Sequence, residues 1–145
     1  MSNAVTYESD LYAWAMEQAA LLRSGRLSEA DIANIAEEIE SLGRSEKREL
    51  ISRLSVLLLH LLKWAYQPSH RGNSWRLTIA EQRDSIQEHL GDNPSLRASL
   101  PDSIRRAYRQ ARFGAQRETG LGAQSFPPVC QWTGELVLDE SFLPD

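Results

Sequence analysis

The chain has 145 residues, one cysteine and a formal net charge of −4, long enough to bury a core and too poor in thiols for an internal disulfide. Leucine occurs 20 times and alanine 15, against four valines, so straight-chain helix formers outnumber the β-branched residues that favour sheet. The longest apolar run, Leu54 to Leu62, falls far short of the roughly 20 residues that span a bilayer, and Arg53, His60 and Lys63 bracket or interrupt it, which excludes a membrane anchor there.

An all-α, single-domain helical bundle is expected, and the lone thiol and absence of a signal-peptide pattern place it in the cytoplasm. Residues 1–6 carry no element signal and read as flexible. A first helix is expected from Ser9 or Asp10 to Arg23, with Leu11, Trp14, Ala15, Gln18, Leu21 and Leu22 on one face, ended by Gly25. Ser28 followed by Asp31, with Leu27 placed against Ile32, reads as a capping box and staple. From Ser28 a single helical phase runs through Ile32, Ile35, Ile39, Leu42, Leu50, Leu54, Leu58 and Leu61, which predicts one long central helix over about 28–66, bent or broken at Gly43. Val56 to Leu59 cover more than a full turn in aliphatic side chains, so this helix is hidden in a core or shared with a partner.

Pro68 ends that helix. A loop over 68–73 leads to a helix capped by Asn73 or Ser74, carrying Trp75, Ile79, Gln82, Ile86 and Leu90 inward and closed by Gly91. Asn93-Pro94 opens a short turn that Pro101 resets. The last long helix covers about 102–118, with Ile104, Ala107, Tyr108 and Ala111 inward and Arg105, Arg109 and Arg112 on another face. Residues 119–145 form a loop-rich tail, docked through Phe126, Val129, Trp132, Leu136, Val137, Phe142 and Leu143 with a helical turn near Thr133 to Leu138.

The charge is segregated. Residues 1–43 sum to −6, residues 44–117 to +7 and residues 118–145 to −5, and fourteen of the sixteen cations are arginine. Acidic flanks paired with a basic middle are the expected outcome.

Several stretches together resemble one bacterial family. They are Tyr7 to Trp14, Ile35 to Arg48, His60 to Trp64 with Tyr66-Gln67-Pro68, Ser74-Trp75-Arg76, Ile79 with Glu81-Gln82-Arg83, and Phe142-Leu143-Pro144. The family is domain of unknown function number 29. The resemblance covers nearly the whole chain and implies an all-helical fold, but no activity, substrate or catalytic residue.

Lys63, Trp64, Tyr66, His70, Arg71, Asn73, Ser74, Trp75 and Arg76 gather around the loop after the central helix, with Arg83 further along the next helix. Arginines beside a helix N-terminus suit an anion, and aromatic rings suit a base, so this cluster is the candidate site for an anionic ligand such as a nucleotide or phosphate. The competing reading makes the tryptophans core anchors and pairs the arginines with Glu37, Glu38 or Glu40. No metal motif is present; His60 with Glu37 and Glu38 is a lesser alternative. Cys130 has no sequence neighbour to activate it, and no cofactor is expected.

Function therefore reads first as a small helical interaction or regulatory module, self-associating or binding a protein through helix 50–66 or the tail. An anionic-ligand binder or enzyme is the alternative. Nucleic-acid contact through the basic middle is a third reading, disfavoured by the overall acidity.

Overall fold

The computed structural model describes residues 7–145; the flexibility expected of residues 1–6 lies outside them. The described residues are helices and turns without a strand, and they divide into two compact units, Met1–Ser45 and Glu46–Asp145.

In the first unit, α1 spans Leu11–Arg23, capped by Asp10, whose side chain accepts from the Ala13 N–H at 3.0 Å. Gly25 takes the left-handed conformation (φ 76°) that turns the chain after the helix. The capping box at Ser28 does not form. Leu27–Glu29 is a 3-10 turn, and the long helix α2 spans Ile32–Tyr66. Asp31 is itself the cap, because its carboxylate receives the Asn34 side-chain amide at 2.7 Å, the Trp14 indole N–H at 3.1 Å and, more loosely, the Asn34 backbone N–H at 3.5 Å. These donors, the Asn34 amide first, hold the Asp31 carboxyl below its ordinary range. Trp14, Gln18 and Leu21 are buried, whereas Ile32, Ile39 and Leu42 are 55–70 % exposed despite keeping the phase of the core positions. Among the described residues of this unit, nothing packs as a further layer over that outer stripe.

Helix α2 is unbroken at Gly43. In the second unit its residues from Leu50 to Trp64 form the core with α3 (Asn73–Asp92) and α4 (Leu100–Thr119). Leu50, Leu54, Leu57, Leu58 and Leu61 are wholly buried against Ile79, Ile86, Leu90, Ala107, Ala111 and Ala115. At Gly114 an added Cβ would lie 3.3 Å from the Leu59 side chain, so the absence of a side chain sets how closely α4 approaches α2. Neither Asn73 nor Ser74 caps α3; Gly72 occupies that position without a side-chain bond, and the helix runs through Gly91 to Asp92. Pro101 falls inside the first turn of α4 rather than ahead of it, where a missing N–H costs nothing. Gly120, at φ 77°, ends α4.

The tail docks as expected. Phe126 and Val137 are buried, and Thr133 caps a short helix α5 (Gly134–Leu138) by accepting from Leu136 N–H at 3.2 Å. Val129 and Leu136 are exceptions, 65 % and 38 % exposed.

Candidate functional site

The cluster expected around the α2–α3 loop assembles, but its members mostly satisfy one another. Lys63 is buried, pairs with Glu118 at 2.8 Å and stands 4.7 Å from the Trp75 ring centre. Arg71 donates from Nε to the Trp64 carbonyl at 2.7 Å, and the guanidinium carbons of Arg71 and Arg76 lie 5.1 and 5.4 Å from the Trp64 ring centre. His70 stacks on Trp75 at 6.5 Å, and Tyr66 meets Phe126 edge-on at 5.2 Å. Asn73 opens α3, and Ser74 accepts from Thr78 through its carbonyl. Trp64 is buried and Trp75 half-buried against the core, so both act as packing anchors.

Arg83 does not join this cluster. It is 2 % exposed and donates from Nε to the Val137 carbonyl at 2.8 Å, tying α3 to α5, while one terminal nitrogen is buried without a partner. Burial lowers its pKa, partly offset by Asp139 and Glu140.

The lesser metal set is likewise committed residue by residue. Glu37 pairs with Arg44 at 3.2 Å, Glu38 accepts from the Tyr7 hydroxyl at 2.6 Å, and His60 Nδ1 lies 2.9 Å from the Val56 carbonyl.

A different site emerges in the second unit. A cleft of about 660 Å³ opens between α4 and the tail, lined on one side by Leu100, Ile104, Arg105, Tyr108, Arg109, Arg112, Phe113 and Gln116, and on the other by Pro128 to Cys130 and Trp132 to Gly134. Its size is that of small-molecule pockets, roughly 300–1,000 Å³. The arginine face of α4 is thus a wall. Arg112 is fixed, donating to the carbonyls of Ala123 (2.7 Å) and Phe126 (3.2 Å). Arg105 pairs with Asp102, which also takes Arg106 at 3.2 Å and Lys47 at 3.7 Å. One carboxylate among three cations leaves surplus positive charge at the end of α4. Arg109 has neither an ion pair nor a hydrogen bond among the described residues, and it is exposed at the cleft.

Two protonated groups stand in the cleft wall. The Tyr108 hydroxyl donates to the Pro127 carbonyl at 2.6 Å, and burial pushes its pKa up to about 12. Burial also raises the Cys130 thiol. The neutral tyrosine is the form the fold accommodates, so stability present below pH 10 falls as pH rises from about 10 to 12, by on the order of 2–3 kcal/mol. Denaturant melts of wild type and Tyr108→Phe across that range should show the decline shrinking in the variant; equal declines would remove Tyr108 as its source.

The expectation that acidic flanks neutralise the basic middle holds only in small part for the second unit. Among the described residues there, Lys63–Glu118 is the ion pair that reaches the acidic stretch 118–145, at its first residue and still within α4, while Arg53–Glu49 and the group around Asp102 stay within the basic stretch. Helix 50–66, expected to offer surplus apolar surface to a partner, spends its leucines on its own unit's core, as the tail does with Phe126 and Val137. The spacing of Arg105, Arg109 and Arg112 shows only that they share a face of the helix, not that the tail forms a second wall opposite them. Phe113 and Gln116 continue that face at helical spacing, which marks it in the sequence as more than a row of charges.

Fold and site together define an all-helical protein with an arginine- and aromatic-lined cleft beside its last long helix. A family model described as Domain of unknown function DUF29 matches residues 6–143, and the chain belongs to that family. No curated protein and no solved structure shows a match to it.

Proposed function

We propose that this protein binds a small anionic molecule with an apolar or aromatic body, held between α4 and the tail. The observation that carries the reading is Arg109, a guanidinium unpaired among the described residues, at the wall of a cleft of about 660 Å³ whose other wall is mostly apolar. A carboxylate, sulfonate or phosphate can meet that planar fork with two parallel hydrogen bonds, with Arg105 adding charge. Phe113 and Trp132 offer ring surface to the body of the ligand. With the Cys130 thiol and Tyr108 hydroxyl both held protonated, the cleft suits binding rather than covalent turnover.

The aromatic sulfonate anilinonaphthalene sulfonate has this chemistry and reports its own binding by fluorescence. Arg109→Glu should weaken its affinity about 10- to 100-fold, the worth of one or two charge-assisted hydrogen bonds. Arg76→Glu, at the α2–α3 loop, should leave the affinity unchanged. Equal affinity in wild type and Arg109→Glu would overturn the cleft as the site, and loss in Arg76→Glu alone would return the site to the loop.

A further inference from the structure

Away from the cleft, Glu46 and Glu49 stand one turn apart on α2, and His89 faces them from α3 with its side chain 7 % exposed. One ligand atom from each lies within 4.8 Å of the other two. His89 Nε2 is 2.8 Å from the backbone carbonyl of Glu46. A carbonyl only accepts, so this nitrogen carries the ring proton. In the neutral ring, Nδ1 is then a bare lone pair, yet it lies 3.2 Å from Glu49 Oε2, and two acceptors at that separation repel unless they share a cation. The spacing is close to the edge, about 3.3 Å, of a tetrahedron built from zinc–nitrogen and zinc–oxygen bonds of about 2.0 Å. The contact from Nε2–H to a carbonyl is also the outer-shell bond that orients a metal-binding imidazole.

We propose that Glu46, Glu49 and His89 bind a zinc ion that bridges α2 and α3, with His89 Nδ1 and one oxygen of each carboxylate as ligands. Three protein ligands leave a fourth position for water. Glu46 Oε2 lies 3.6 Å from Nε2, on the proton-bearing side of the ring, so the half-exposed Glu46 side chain must swing toward Nδ1 to close the site. Asn93 Nδ2, 3.4 Å from Glu46 Oε2, steadies that carboxylate. Arg53 Nε, 3.2 Å from Glu49 Oε2, is the competing cation, and its partly exposed side chain can swing to solvent as the metal enters. The other occupant able to relieve the contact is a second ring proton on His89, which would bind no metal.

Zinc titrated into chelator-treated protein in competition with a chromophoric chelator separates the two. Wild type should bind one zinc per chain and melt at higher temperature with it. Glu46→Gln and Glu49→Gln, both at half-exposed positions that leave the core intact, should each weaken zinc by about 10- to 100-fold. Cobalt in place of zinc should give the visible absorption of a tetrahedral site in wild type and lose it in Glu49→Gln. Zinc affinity in the folded double variant equal to that of wild type, or no zinc bound by wild type at all, overturns the proposal and leaves a doubly protonated histidine between two acceptors.

Discussion

Phe126→Ala is expected to cost about 3–5 kcal/mol, the range for emptying a buried aromatic site, and to lower the melting temperature by roughly 6–20 °C. The ring is 2 % exposed, is packed edge-on to Tyr66 and lies in the core cluster with the α2 leucines. Its neighbours in sequence hold the tail to α4, since the carbonyls of Ala123, Phe126 and Pro127 accept from Arg112 and Tyr108. Removing the ring should therefore loosen the segment after Gly120 and open one wall of the cleft. Limited proteolysis should cut the variant between residues 120 and 131 while α4 stays protected. Wild-type stability with an uncut tail would mean that the hydrogen bonds to α4, not the ring, secure the segment.

Arg83→Ala should be destabilising by about 2–4 kcal/mol. The substitution orphans the Val137 carbonyl, worth about 1–3 kcal/mol when buried, and deletes a side-chain stem that fills space between α3 and α5. Arg83→Met should recover part of the loss. It keeps the volume and removes a guanidinium whose burial is incompletely repaid, since one of its nitrogens has no partner. Arg76→Ala, exposed beside Trp64, should stay within about 0.5 kcal/mol of wild type. Chemical denaturation of the three variants gives the order, and an Arg76 effect as large as that of Arg83 would contradict the placement of Arg83 as a clasp on the tail.

The difference between these arginines shows what a linear pattern leaves open. Arg76 follows Trp75 directly and Arg83 lies eight residues after it, and charge alone groups them. Seven residues along a helix is about 10.5 Å of rise, enough to carry Arg83 away from the loop, and only the docked tail supplies the carbonyl it serves. Glu46, Glu49 and His89 show the same limitation. Two glutamates one turn apart are a commonplace of solvated helices, and nothing in the order of residues says that a histidine forty positions later returns to face them.

What the sequence determined by itself was the run of helices, their stops and the inward faces. Leucine-rich periodicity, Gly120 and the Asn93-Pro94 start act through the backbone within a few residues, so they are legible without knowing the neighbours. Helix starts displaced by a few residues, at Asp31 and Gly72, are places where competing cap residues lie close together; at Asp31 the side chains of Trp14 and Gln18, distant in sequence, bond to the residue that caps. The tertiary structure alone decided which polar groups are paired and which stay available: Arg71 on a carbonyl, Lys63 on Glu118, Arg109 left without a partner among the described residues at the cleft. Burial and pairing depend on atoms that the chain brings together from far apart, and one-dimensional spacing carries no measure of that distance.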